Sequence, residues 1–225
     1  MRKLSFKPWR VVVPLIALVL QPVWPARAWV PVSNLDPTFG NAGVVTIDFN
    51  GSTDRASSLA IQRDGKVIVG GFAYAGVSSL EAFVDEFALV RLNADGTLDS
   101  SFGSGGKATT AFGGLTNEIT GVAIQDDGKI VAVGFVQTPG RGYDFGLARF
   151  NSDGTLDPSF GSGGKVVTDI STTSDLSGAS DFAHCVVLQP DGKIVVGGST
   201  ETIDSFDFAV VRYHSDGSLD HKFGT

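Results

Sequence analysis

Two short segments of the chain resemble part of a calcium-binding loop. Residues 93–96 and 151–154 both follow the pattern Asn-x-Asp-Gly, as in the middle of an Asp-x-Asx-x-Asx-Gly loop, where side-chain oxygens at alternate positions surround the ion. However, the position of the first oxygen ligand holds Arg91 or Arg149, and Arg212 stands at the same place in a third copy. A guanidinium cannot coordinate a cation, so calcium binding at these turns is kept only as the alternative. We expect no metal and no other cofactor.

Neither the histidines nor the glycine-rich segments form a pattern of catalytic or nucleotide-binding residues. The three histidines are His184, His214 and His221. None has the spacing of a metal site or of a base beside a nucleophile. The segments 103–107 and 161–165 (Gly-Ser-Gly-Gly-Lys) lack the outer Gly and the Ser/Thr after Lys of a phosphate-binding loop. We therefore predict no catalytic, cofactor-binding or metal-binding residues.

Three short signatures recur in the same order along the chain. The pattern Leu-Asp-x-x-Phe-Gly begins at residues 35, 98, 156 and 219, in steps of 63, 58 and 63 residues. Its first three phenylalanines are Phe39, Phe102 and Phe160. A second pattern, Gln-x-Asp-Gly-Lys, contains Asp64 and Gly65, Asp127 and Gly128, and Asp191 and Gly192. A third, Phe-x-x-x-Arg, ends at Arg91, Arg149 and Arg212. Such a period indicates tandem copies of one structural unit.

The Asp-Gly pairs are explained by turn chemistry. In the segment 189–192 (Gln-Pro-Asp-Gly), Pro190 suits the φ of a type I turn and Gly192 suits the left-handed residue of a G1 bulge. Because the backbone requires these residues, a structural role is favoured over a catalytic role for the aspartates.

The arginines of the third signature are expected to form ion pairs. Each arginine lies eight residues before the aspartate of the following Leu-Asp pair; these aspartates are Asp99, Asp157 and Asp220. A strand, a turn and a short return would bring each guanidinium beside its carboxylate. We predict that these pairs brace the edge of each repeat.

Each repeat is predicted to contain four short strands. In the third copy these are residues 165–170, 182–188, 193–198 and 208–213, which are rich in Val, Ile, Phe and Thr. The segments 129–134 and 194–198 are nearly continuous apolar runs, which is typical of strands covered on both faces. Four-stranded sheets that stack around an axis achieve this, so the sequence predicts an all-β, β-propeller-like array of three four-stranded blades.

Together the three signatures resemble the delta-60 repeat, over residues 35–225. The resemblance implies a β-propeller-like repeat domain of unknown function in an exported bacterial protein. It implies no established catalytic residues.

The first 28 residues have the order of a secretory signal peptide. Four basic residues within the first ten are followed by the apolar run 11–20 and then by Ala26-Arg27-Ala28. The apolar run is shorter than the roughly 20 residues of a bilayer span, although an uncleaved anchor is the alternative. We expect cleavage after Ala28 and a secreted, cell-surface or periplasmic location.

The chain that remains after cleavage is strongly acidic. Residues 1–28 hold five of the 17 Lys and Arg and none of the 24 Asp and Glu, which leaves a formal charge of −12. Such a field repels nucleic acids, so we exclude them as partners. After a short linker, 29–34, the repeat domain 35–225 contains units at 35–97, 98–155 and 156–218 and the start of a fourth at 219–225.

The expected function is non-catalytic binding of a protein or glycan through loops on the repeat scaffold. The loops that differ most between the copies are 72–86 and 168–181. The alternatives are a polysaccharide-degrading enzyme on a propeller scaffold and a structural segment of a longer repeat protein. Because propeller rings contain about four to eight blades, three cannot close. We therefore expect association through open blade faces, including as a homodimer.

Overall fold

The described part of the chain consists of strands and turns. The computed structural model describes residues 35–77, 83–137, 142–170 and 178–224, and within these ranges there is no helix. The strands are β1 Asp54–Ile61, β2 Val67–Val77, β3 Phe83–Leu92, β4 Lys107–Thr110, β5 Asn117–Ile124, β6 Ile130–Gln137, β7 Tyr143–Phe150, β8 Lys165–Thr168, β9 Asp181–Leu188, β10 Ile194–Glu201 and β11 Phe206–Tyr213. The predicted signal peptide (1–28) and linker (29–34) lie outside the described residues, as do 78–82 and 171–177 in the two variable loops. No helix in the described ranges is long and apolar enough to cross a membrane.

The strands form three antiparallel sheets, which we call blades 1, 2 and 3. Blade 1 has the order β1-β2-β3-β4, blade 2 has β5-β6-β7-β8, and blade 3 has β9-β10-β11. The predicted all-β propeller architecture is confirmed, as an unclosed ring of three blades. The difference is that blade 3 has three strands among the described residues instead of four.

The sequence repeat and the blade are offset by one strand. Residues 165–170 are the predicted first strand of the third unit, but β8 (Lys165–Thr168) pairs with β7 and is the outer strand of blade 2. Likewise β4 (Lys107–Thr110) pairs with β3 as the outer strand of blade 1. The equivalent first segment, 44–47, lies outside any strand. The glycine-rich loop after each Phe-Gly causes this offset, because it returns the chain to the strand that it has just left.

The hydrophobic core lies between blades. One cluster joins apolar side chains of blade 1, such as Phe87 and Leu89, to side chains of blade 2, such as Ile130. A second cluster joins Phe145 and Leu147 of blade 2 to side chains of blade 3. The central blade is therefore covered on both of its faces, as its continuous apolar run predicted.

One glycine in each middle strand accommodates a bulge in the inner strand. The inner strand shifts its register opposite Gly71 in blade 1, Gly134 in blade 2 and Gly198 in blade 3. A Cβ at Gly71 or Gly134 would collide with the carbonyl oxygen of Arg55 or Glu118, respectively. The clash is with backbone, so no side chain fits there without moving the inner strand.

Candidate functional site

The arginine and aspartate of each repeat form the ion pair that their separation predicted. Arg91 Nε lies 2.7 Å from Asp99 Oδ2, and Arg149 Nε lies 2.7 Å from Asp157 Oδ2. In the third pair, Arg212 Nε lies 2.8 Å from Asp220 Oδ2. Because each arginine is the penultimate residue of its strand and the chain returns after an Asp-Gly turn, the two side chains meet at the edge of the blade.

A lysine from the same blade completes each pair, and sequence reasoning missed it. Lys66 Nζ lies 2.6 Å from Asp99 Oδ2, and Lys129 Nζ lies 2.9 Å from Asp157 Oδ2. The equivalent Lys193 lies farther from its aspartate, at 3.5 Å. The signal was present, since this lysine recurs in every Gln-x-Asp-Gly-Lys signature.

These contacts keep the aspartates ionised. The hydrogen bond from Lys66, together with that from Ser101, lowers the pKa of Asp99 far below its ordinary value. Burial raises the pKa of Asp157, but hydrogen bonds from Ser159 and Lys129 outweigh burial, and the net shift is strongly downward. Carboxylates held in this way are poor proton donors near neutral pH, so a role as general acid is excluded for them.

The arginines also join each blade to the next. The guanidinium of Arg91 stacks on the ring of Phe102, 4.8 Å from its centroid, and donates to the Ser152 carbonyl of blade 2. Arg149 repeats both contacts, with Phe160 (4.6 Å) and with the Ser215 carbonyl of blade 3. The recurring Arg, Asp and Phe therefore form a structural joint between blades.

The Asp-Gly turns have the backbone geometry that their sequence predicted. Gly65, Gly128 and Gly192 have φ between +81° and +84°. In the third turn, Gly192 N–H donates to the Gln189 carbonyl, and Gln189 N–H donates to the Lys193 carbonyl. At the two Asn-x-Asp-Gly turns, Asp95 and Asp153 accept hydrogen bonds from the threonine two residues later. The carboxylates of both kinds of turn thus support their own turns.

Three acidic side chains lie together where blade 2 meets blade 3. Carboxylate oxygens of Asp144, Asp169 and Asp181 lie within 4.8 Å of one another. Asp181 is fully buried; its Oδ2 accepts a hydrogen bond from Ile170 N–H (2.7 Å). Its Oδ1 makes no hydrogen bond to the described residues.

The same buried oxygen recurs in the other two blades. Asp54 and Asn117 occupy the position of Asp181 at the start of the inner strand, and the Oδ1 of each is likewise buried and unbonded among the described residues. In Asn117 this oxygen is a neutral amide oxygen. Asp54 also accepts the N–H of Phe49, as Asp181 accepts that of Ile170. We therefore interpret this position as a tie between the outer segment of one blade and the inner strand of the next.

Among the described residues, the histidines do not combine with an acidic group and a nucleophile into a catalytic triad. His184 Nε2 lies 3.3 Å from Ser199 Oγ on an exposed part of blade 3, and no carboxylate is bonded to His184 within the described ranges. His214 Nε2 lies 3.8 Å from Oδ1 of Asp220, whose other carboxylate oxygen is paired with Arg212. The described side chains assemble no nucleophile, base and orienting acid.

The most unusual surface is the face of blade 3 that points away from blade 2, which we call the trailing face (Val187, Phe208, Val210). The exposed fraction of Phe208 is 100%, and those of Val187 and Val210 are 59% and 56%. Phe208 is the third copy of a position that holds Phe87 in blade 1 and Phe145 in blade 2, both of which are fully buried. The trailing face is therefore half of a blade junction.

The opposite end of the array is the other half of such a junction. We call this end the leading face (Leu59, Ile61 and a groove beside Gly71). Leu59 and Ile61 are 64% and 67% exposed, whereas the equivalent side chains of blades 2 and 3 pack against the core clusters. The groove has a volume of about 160 Å³ and is lined mainly by apolar groups, among them Val69, Gly71 and Phe49.

Comparison with known families agrees with this architecture. Residues 62–102, 125–160 and 189–223 match the family model of a β-propeller domain of unknown function (DUF5122), one match for each repeat. No curated protein shows significant similarity to the chain.

Proposed function

Starting from a chain that carries three repeats of a β-propeller domain of unknown function, we propose that this protein is an exported, non-catalytic binding module. Its partner would be a protein or a glycan, and its binding surface would be the trailing face. The observation that carries the proposal is the complete exposure of Phe208 at a position that is fully buried in the other two blades.

The composition of the trailing face supports a binding role. Contiguous exposed apolar groups on a monomer are typical of interaction sites, and aromatic side chains contribute most of the binding energy at such sites. Among the described residues, β11 has a paired strand on one side only, so on its other side the backbone N–H and C=O groups of residues 206–211 are available to an added strand. A partner that supplies an extended segment would satisfy both features.

The non-catalytic part of the proposal follows from the recurring polar residues. The ionised side chains of the signatures are engaged in ion pairs and turns that repeat in all three blades. A residue that recurs for a structural reason in every repeat is a weak candidate for chemistry at one site. Export is proposed from the order of basic, apolar and small residues in 1–28.

Binding and turnover can be measured on the same samples. Purified protein is applied to a glycan array and incubated with bacterial polysaccharides, in parallel with Phe208→Asp. We expect no release of new reducing ends, and any glycan that binds saturably to the wild type should fail to bind Phe208→Asp. Release of reducing ends would replace the proposal with the alternative of a polysaccharide-degrading enzyme.

Thr109→Asp is the matched control for the added charge, because Thr109 is exposed on β4 and belongs to neither end face of the array. It should bind any glycan ligand like wild type. If Phe208→Asp bound the same ligand as well as wild type, the trailing face would not be the binding surface.

A further inference from the structure

We propose that the partner of the trailing face is a second copy of this chain, bound head to tail through its leading face; this inference rests on the proposed binding role. In this assembly the segment 44–47 of the second copy becomes the fourth strand of blade 3 in the first copy. Two copies then supply six blades, which is within the range of about four to eight found in closed rings.

The segment 44–47 is the counterpart of the outer strands in blades 1 and 2. It follows the same Phe-Gly loop that precedes β4 and β8. Val45 and Ile47 are half-buried while Val44 and Thr46 are exposed, which is the alternation of a strand with one covered face. However, the backbone groups of residues 45–47 make no hydrogen bonds to the described residues. The segment thus lies against blade 1 with the side-chain alternation of a strand but with no paired strand among the described residues.

The internal junctions define how this strand would pair with β11. Phe87 lies opposite Thr110, and Phe145 lies opposite Thr168, in two ladders of the same register. The equivalent residue of the first segment is Ile47. Transferring the register places Ile47 opposite Phe208, Thr46 opposite Ala209 and Val45 opposite Val210.

The groove of the leading face fits the exposed aromatic ring of the trailing face. At the junction of blades 2 and 3, the ring of Phe145 lies so close to Gly198 that a Cβ there would come within 2.6 Å of Cζ. Gly71 is the equivalent glycine of the leading face. A groove of about 160 Å³ is also large enough, because apolar cavities of about 150 Å³ accept benzene.

Arg212 has an unused bonding position that the second copy would fill. Arg91 and Arg149 each donate to a carbonyl in the turn of the following blade. Arg212 makes no such contact within the described residues, and its side chain is 20% exposed, against 8% and 7% for the other two. The equivalent acceptor on the leading face is the Ala94 carbonyl.

One segment must be displaced when the two faces meet. Residues 219–224 of the first copy and 35–40 of the second are copies of the same signature and belong at the same place in a junction. Gly40 N–H already donates to the Asp95 carbonyl on the leading face. Phe223 is 38% exposed, whereas Phe102 and Phe160 are fully buried. We therefore assign the displacement to residues 219–224.

Disulfide trapping tests this register directly. In a Cys185→Ser background, which removes the exposed native thiol, one preparation carries Val45→Cys and another carries Val210→Cys. Directly opposed residues in an antiparallel ladder have Cα atoms about 4.5–5.5 Å apart, which is within disulfide range. Mild oxidation of the mixture should give a covalent dimer, and neither preparation alone should do so.

The control pairs Val210→Cys with Thr46→Cys. A shift of one residue turns the side chain to the other face of the strand, so this mixture should give at least tenfold less covalent dimer. Equal trapping in the two mixtures would overturn the assigned register.

Sedimentation velocity on the wild-type protein at tens of micromolar should give the mass of two copies. The Phe208→Asp variant should give the mass of one copy. A wild-type mass of one copy would overturn self-association. If that monomer still bound a glycan or another protein through Phe208, the proposed function would stand without the inference. If the wild type were monomeric and bound no glycan or protein ligand through Phe208, both would fail.

Discussion

Removing the Phe ring should greatly reduce folding stability at Phe145 of blade 2 but hardly change it at the equivalent Phe208 of blade 3. Phe145 is fully buried between two blades, and Phe208 is fully exposed at the same repeat position. Truncation of a buried Phe to Ala costs about 3–5 kcal/mol through lost burial and the cavity that remains. Truncation of an exposed side chain usually changes stability by less than about 0.5 kcal/mol. The pair therefore compares one chemical change in two environments of a single chain.

The assay is urea denaturation followed by circular dichroism, at submicromolar protein so that association does not contribute. We expect Phe145→Ala to lower the free energy of unfolding by about 3–5 kcal/mol. This corresponds to a fall in melting temperature of roughly 6–20 °C for a chain of this size. Phe87→Ala should behave like Phe145→Ala, because Phe87 is also fully buried. Equal destabilisation by Phe145→Ala and Phe208→Ala would refute the conclusion that the last junction is open.

Four further outcomes are expected. Gly192→Val should destabilise the protein by about 1–3 kcal/mol, because φ of +81° strains a β-branched residue although there is room for the side chain; an unchanged urea midpoint would contradict the turn assignment. Stability should fall as the pH drops below about 4, because the folded pKa values of Asp99 and Asp157 lie below the unfolded ones, and Asp157→Asn should flatten a pH series of melting curves. Millimolar calcium should leave the melting temperature unchanged; a rise of several degrees that a chelator reverses, and that Asp181→Asn removes, would instead place a cation between Asp144, Asp169 and Asp181. N-terminal sequencing of exported protein should begin at Trp29, and a sequence beginning at Met1 would rule out cleavage after Ala28.

The repeat signatures contained most of the fold because they encode local geometry. The Asp-Gly turns and the Arg–Asp separation of eight residues fixed the hairpin and the ion pair, since both depend on neighbours in sequence. The blade that each outer strand joins could not be predicted in this way. Lys165–Thr168 is the first strand of a sequence unit but pairs with the preceding blade, and only the three-dimensional path of the Phe-Gly loop determines this.

The exposure of the trailing face could also not be predicted from the sequence. Phe87, Phe145 and Phe208 look equivalent there, and their burial differs because it depends on the presence of a neighbouring blade. An open end was expected from the blade count alone, but the residues that line it required the structure. The meeting of Asp144, Asp169 and Asp181 was likewise unpredictable, because they come from different strands and loops.

The offset between repeat and blade bears on how such a gene can lengthen or shorten. The outer strand of each blade is encoded at the start of the next unit. A recombination event that duplicates one whole unit therefore adds a blade and also supplies the outer strand of the blade before it. Every new blade junction then contains the same arginine–phenylalanine and arginine–carbonyl contacts as the existing ones. Copy number can therefore change by whole units while the two terminal surfaces keep their residues.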